Sequence, residues 1–331
     1  MEMKKIAMLL MLCSLFVGTA CGSDVESVKK TNEDAPARSE NESEAGEEEL
    51  EQEEILYGIG ERIVFEDKYA LTIVGVTETK DRNEFSEKEV QQVLIIEYLY
   101  ENLTSEEEIY ISEMEFKLVD EVGNMMDTYP VEAVHTPEYT PKGAKTLASF
   151  AVGAEAASES IDVHYYDNFF SSEADARFLL SVGEALTVDL LGEAPSYADT
   201  FRMGDIIEVS TSDGEYTLTI ESVRKTDERN EYEKRMPEAV YEITYSYSNI
   251  SMDSPLYIDE YAFILIDGHG NTGYSYPVFS DIYPQETVKG ARSRAVIYLA
   301  AHKDSEHIIL CYKDNMFNNM SDFYIELDGI Q

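Results

Sequence analysis

The chain has 331 residues, room for two domains of about 150 each, and its 44% hydrophobic content with 23 Tyr and 13 Phe can fill a core in both. A formal charge of −42 excludes nucleic acid and anionic lipid headgroups as binding partners, because both are repelled over the whole surface, and leaves cations and basic surfaces. Three cysteines, with Cys13 and Cys21 at the N-terminus, exclude a disulfide framework and leave Cys311 as the one thiol of the body.

The chain opens with Lys4 and Lys5, an apolar run from Ile6 to Val17, then Gly18, Thr19 and Ala20 before Cys21. That run is shorter than the roughly 20 residues a spanning helix requires and fits a signal-peptide core with a small-residue cleavage site. A Cys just after the site resembles the bacterial lipobox, although Gly18 stands where Leu is commonest. The resemblance implies cleavage after residue 20 and a lipid on Cys21, which anchors the chain to the outer face of the cell membrane. Residues 21–54, including SENESEAGEEELEQEE, are acidic and nearly free of large apolar side chains. Such a segment cannot bury enough surface to offset its ordering entropy and reads as a disordered tether.

Beyond the tether the chain spells TKDRNEF at 79–85 and TDERNEY at 226–232. The offset of 147 continues without a gap: Asn102 falls on Asn249, Tyr110 on Tyr257, Phe116 on Phe263 and Asp120 on Asp267. Tyr129-Pro130 falls on Tyr276-Pro277 and Lys142-Gly143-Ala144 on Lys289-Gly290-Ala291. Only the first strand shifts, with Gly60 falling on Gly204, because the second copy has a longer turn at SDGE. The body is therefore one domain written twice, at 55–191 and 201–331, with GEAPSYADT (192–200) between them.

Each copy reads as nearly all β. In VYEITYSYSN, Tyr241, Ile243, Tyr245 and Tyr247 alternate with polar residues, the period of a strand with one buried face. YTLTIESV, AFILID and SRAVIYLA behave alike, and LVDEVGN and LIDGHGN mark hairpin turns. The one helical candidate in copy one is around Phe85–Gln92. Seven or eight short strands in about 130 residues predict two tandem immunoglobulin-like antiparallel β-sandwiches, with a β-barrel as the alternative.

The G(I/M)G(E/D) opening, Y(A/T)LTI..V, a strand ending in Asn102 or Asn249, F.L.D..GN and a late KGA resemble an uncharacterised domain family of Gram-positive secreted proteins and lipoproteins. That family is related in fold to a mycobacterial secreted immunoprotective antigen. The resemblance implies an immunoglobulin-like sandwich for both copies; it carries no activity, cofactor or catalytic residue.

No GxSxG, HExxH, Walker loop or CxxC occurs, so no catalytic residue, cofactor or metal site is assigned. Cys311 lies in a strand pattern and falls on His164, as a buried structural thiol. No histidine among His135, His164, His269, His302 and His307 recurs in both copies, and a spacing of five puts His302 and His307 on opposite faces of a strand. DGHGN lacks the later acidic positions of a calcium loop and reads as a turn. What recurs is the loop itself, Arg82-Asn83-Glu84 and Arg229-Asn230-Glu231. It reads either as a clamp, with Arg on backbone carbonyls, Asn in a left-handed turn and Glu on an open N–H, or as a recognition surface shown twice. Tyr165, Tyr166, Phe169, Phe170, Tyr312 and Phe317 are either core or an aromatic anchor.

The leading expectation is a non-catalytic, lipid-anchored binding protein of the cell envelope, with an unknown envelope or extracellular protein as partner and no nucleic acid. A calcium-type structural or sensing lipoprotein is the alternative. A secreted enzyme with a carboxylate-based site comes third.

Overall fold

The computed structural model describes residues 55–168, 170–315 and 318–330. The expected signal peptide, Cys21, the expected acidic tether, Phe169 and Phe317 lie outside the described residues. Residues Glu53–Gln331 form one compact unit. Apart from the short 3-10 turns Glu113–Glu115 and Glu260–Ala262, every regular element among the described residues is a strand.

In copy one, Tyr69–Thr79 pairs antiparallel with Gln92–Asn102, which pairs with Lys145–Ala154. In copy two the matching ladder is Gly214–Lys225, Ala239–Asn249 and Arg292–Ala301. Both first hairpins carry a bulge at the same place, between Ile73 and Gly75 and between Ile220 and Ser222. The facing sheets are Phe116–Val119, Ser160–Tyr165 and Ala176–Ser181 in copy one and Phe263–Asp267, His307–Tyr312 and Phe323–Asp328 in copy two. Each takes one parallel strand at its edge, Leu56–Tyr57 on Ala176–Ser181 and Phe201–Arg202 on Phe323–Asp328. The fold is thus all-β and layered. In copy two the layers are separate sheets; in copy one Met125–Thr128 pairs with both Phe116–Val119 and Lys145–Ala154 and ties the layers together.

Each copy has its own core. Tyr69, Leu71, Leu94, Tyr98, Phe116, Val163 and Phe178 pack in copy one, and Tyr216, Leu218, Ile243, Tyr245, Phe263, Leu310 and Ile325 in copy two. The tyrosines keep their hydroxyls satisfied, as buried polar groups must. Tyr98 donates to Ile111 O at 2.7 Å and Tyr245 to Ile258 O at 2.7 Å; Tyr100 donates to Glu138 O at 2.6 Å and Tyr247 to Gln285 O at 2.7 Å. The shifted glycines match as well. Gly60 N–H donates to Ile73 O and Gly204 N–H to Ile220 O, both glycines at positive φ (82° and 88°) where a Cβ is disfavoured.

Two expectations are corrected. The segment Phe85–Gln92 is not a helix. Its polar side chains serve the loop: Ser86 Oγ accepts from Lys88 N–H, and Lys88 reaches Asp127 and the Thr128 carbonyl. Asn83 and Asn230 are not left-handed; among the described residues the only non-glycine positive φ values are at Glu66, Asp67 and Asp199.

Candidate functional site

The repeated loop is held by the same bonds in both copies. Arg82 Nη1 donates to the carbonyls of Thr79 and Asp81, each at 2.9 Å, and Arg229 Nη1 to those of Thr226 (2.8 Å) and Glu228 (2.9 Å). Asn83 Nδ2 donates to Pro130 O at 2.8 Å and Asn230 Nδ2 to Pro277 O at 2.8 Å. Each Asn Oδ1 then accepts the N–H two residues on, from Phe85 and from Tyr232, both at 2.9 Å. These are Asx turns braced by a guanidinium fork, so Arg and Asn are the clamp. Glu84 and Glu231 are exposed and, among the described residues, take no hydrogen bond or ion pair.

What the clamp displays is the next residue. Phe85 is 86% and Tyr232 84% exposed, at equivalent positions on a loop fixed at its base. A large aromatic left in water at the tip of a braced loop, twice, is a recurring surface feature of the described residues. In copy two a cleft of about 550 Å³ lies between Arg229–Tyr232 and Pro277–Phe279, with Phe279 88% exposed on its far side. Sequence reasoning places the clamp residues and passes over Phe85 and Tyr232, although both close the repeated seven-residue string.

Of the other aromatics, Tyr165 and Tyr312 are core: Tyr69 OH meets Tyr165 OH at 3.0 Å and donates to Asp167 at 2.6 Å, and Tyr216 OH meets Tyr312 OH at 2.8 Å and donates to Asp314 at 2.5 Å. Tyr166 lies half-buried under Lys117, and Phe170 is exposed. Cys311 is fully buried, and burial pushes its thiol well above the usual range. Asp267 in DGHGN accepts from the N–H groups of His269, Asn271 and Lys303 and from the Asn271 amide, so its carboxylate is spent on the turn. Among the described residues no three His, Cys, Asp or Glu gather as metal ligands, and no helix is long and apolar enough to cross a membrane.

The two copies meet face to face. Lys145 N–H donates to Gly270 O and Thr272 N–H to Lys145 O, each at 2.9 Å, and Thr146 Oγ1 lies 2.6 Å from Thr272 Oγ1. Glu108 and Lys313 form an ion pair with side chains 2% and 3% exposed. Ser321 Oγ donates to the same carboxylate at 2.5 Å, and the Lys313 ammonium sits 4.2 Å over the Tyr139 ring. The segment 192–200 joins this face: Tyr197 stacks on Tyr324 at 3.7 Å and donates to Lys142 O at 2.8 Å. His135 and His302, far apart in sequence, pack with ring centroids 5.6 Å apart. Burial and the nearby Arg235 hold both imidazoles down to about 4, while burial raises Glu138 beside them to about 7. Arg235 itself pairs with Glu233 and covers the Tyr274 ring at 4.2 Å. A second cleft, of about 560 Å³, opens between Thr136 and Glu138 of copy one and Tyr276, Tyr283 and Tyr298 of copy two.

No protein-family model matches the chain, and no curated protein matches it. Among solved structures it is similar to a secreted protein of Mycobacterium tuberculosis, MPT63, at 14% identity and a TM-score of 0.32, covering 40% of this chain and 99% of that one. It is also similar to a Bacillus subtilis chain assigned as a lipoprotein, at 15% identity and a TM-score of 0.30, covering 37% of this chain and 38% of the other. Likenesses of this size carry no argument about what the chain does.

Proposed function

We propose that this is a non-catalytic binding protein of the cell envelope, lipid-anchored through Cys21, that meets its partner with aromatics carried on clamped loops. One observation carries the reading: the same hydrogen-bonded clamp recurs in both copies and leaves Phe85 and Tyr232 in water. Fixing a large side chain before contact removes ordering cost from binding, which is how a rigid loop raises affinity. A formal charge of −42 around those aromatics selects a partner surface that is basic as well as apolar. Two such loops in one compact body raise avidity for a repetitive or dimeric partner.

The test is chemical cross-linking followed by capture from envelope extracts, comparing the wild type with a Phe85→Ser/Tyr232→Ser variant of unchanged melting temperature. The reading expects a specific partner with the wild type, weakened by added salt and lost with the variant. Equal capture by both proteins contradicts it.

A further inference from the structure

Two cations beside the contact between the copies are held in the same way, each between a carboxylate and a tyrosine ring. Lys313 pairs with Glu108 and stands 4.2 Å over the Tyr139 ring; Arg235 pairs with Glu233 and stands 4.2 Å over the Tyr274 ring. Carboxylate and ring face both attract positive charge, and shielding from water strengthens both attractions.

The cleft of about 560 Å³ next to Arg235 brings the same groups together. Copy one contributes Glu138 and copy two Glu260, both half-buried. Neither carboxylate has an ion pair among the described residues, and the one side-chain bond of Glu138 is a long 3.4 Å from Thr136 Oγ1. Arg235 lines the cleft as well, but its guanidinium is spent on Glu233 and Tyr274. Tyr261, Tyr276, Tyr283 and Tyr298 line the same space. The buried pair, Tyr276 and Tyr298, already bond Asn230 N–H at 3.3 Å and Glu242 at 3.1 Å through their hydroxyls, so they offer the cleft ring surface. Tyr261 and Tyr283 stand on the solvent side, each more than half exposed.

The sandwich itself does not require this combination. Tyr261, Tyr283 and Tyr298 fall on Met114, Thr136 and Ala151 of copy one, and Glu138 falls on Gln285 of copy two. Carboxylates and rings therefore meet only where the two copies meet.

We propose that this cleft binds an organic cation, an alkylammonium group attracted by Glu138 and Glu260 and enclosed by the tyrosine rings. The formal charge of −42 draws cations toward it. A metal ion fits less well, because among the described residues no three ligating side chains gather. Neither Phe85 nor Tyr232 lines the cleft, so the inference stands apart from the loop reading.

Binding should also depend on pH. Burial raises Glu138 to about 7 against the pull of Arg235. His135 and His302, which share a small neighbouring cavity with it, are held down to about 4, and Arg235 keeps Glu233 below the usual carboxylate range. These neighbours keep their charge between about pH 8 and 6 while Glu138 takes up a proton, so cation affinity should fall about ten-fold over that interval.

The experiment titrates the protein calorimetrically with three probes: choline, butylammonium as the amine of a lysine side chain, and the neutral analogue of choline in which carbon replaces nitrogen. The expected result is saturable binding of a cation, about ten-fold tighter than the neutral analogue and weakening from pH 8 to 6. Preference for choline assigns a free quaternary ligand, and preference for butylammonium a lysine side chain of a partner; both are the proposed chemistry. Glu138→Gln, of equal size, should weaken binding about ten-fold and flatten the pH profile, which reads Glu138 in the wild type without any substitution. Tyr283→Ala, on an exposed ring, should weaken it about three-fold at unchanged melting temperature. Equal binding of the neutral analogue, the mark of an apolar or sugar-type cleft, overturns the proposal. So does the absence of binding by either cation at millimolar concentration, or a Glu138→Gln protein that binds like the wild type.

Discussion

In copy one, the hydroxyls of Tyr69, Tyr98 and Tyr100, the Asn83 amide and the Arg82 guanidinium each find a partner that Tyr216, Tyr245, Tyr247, Asn230 and Arg229 find again in copy two. Lys313 and Glu108, His302 and His135, by contrast, have no such echo: their counterparts are Tyr166 and Pro255, Glu155 and Ile282. The difference separates two kinds of constraint. Groups that serve the interior of one sandwich recur, whereas the buried ion pair and the histidine pair that serve the contact between sandwiches occur once, because each copy uses a different face for that contact.

The comparison can be broken at several strengths. Lys313→Met leaves Glu108 charged and buried without its partner and should cost about 3–5 kcal/mol in chemical denaturation, whereas Glu108→Leu/Lys313→Met, which removes both charges together, should be near neutral. A double variant as damaging as the single one contradicts the ion-pair assignment. Next come Tyr69→Phe and Tyr216→Phe. Each strips a hydroxyl shared with a second tyrosine and an aspartate, and the two should cost alike, about 1–3 kcal/mol. Unequal losses would show that the frame is not equivalent.

Acid sharpens the contrast. His135 and His302 bind fewer protons folded than unfolded between about pH 4 and 6.5, so stability falls as pH drops through that window. Glu138, ionising at about 7 when folded, binds more protons folded and opposes the fall between about pH 7 and 4.5. Arg235, Lys303 and Glu238 also act on the histidine pair: the two cations deepen the depression and Glu238 offsets part of it. Melting curves between pH 7 and 4.5 should show His135→Gln/His302→Gln losing less than the wild type, by about 1 kcal/mol per histidine after allowance for solvent contact. Smaller again is Arg82→Ala or Arg229→Ala, each removing backbone-carbonyl caps from an exposed loop for about 0.5–1 kcal/mol in denaturant.

The frame was legible because it is local and repeated. Alternating side chains in 239–249 announced a strand, and the outer face also proved buried at Thr244 and Ser246, where Arg292 bonds Ser246 Oγ. The Phe85–Gln92 helix failed because Ser86 and Lys88 spend their polar groups on turn and strand neighbours, which helical spacing cannot anticipate. Of the site, the clamp could be read and its display could not: whether Phe85 is buried depends on where the Asn83 turn aims it. The Glu108–Lys313 pair spans 205 residues and joins the two copies, and no periodicity reports such a contact. Its only trace is negative, a Pro and a Tyr at the positions where the repeat stops repeating.

The central claim is that the repeated loop is a rigid mount for an exposed aromatic, and backbone ¹⁵N relaxation at the amides of Phe85 and Tyr232 tests it most directly. If each N–H is held by its Asn Oδ1, both amides should have order parameters near the roughly 0.85 of rigid backbone in the absence of any partner, falling below about 0.6 in Asn83→Ala and Asn230→Ala. Order parameters below about 0.6 in the wild type would contradict the claim and make the loop a flexible tip.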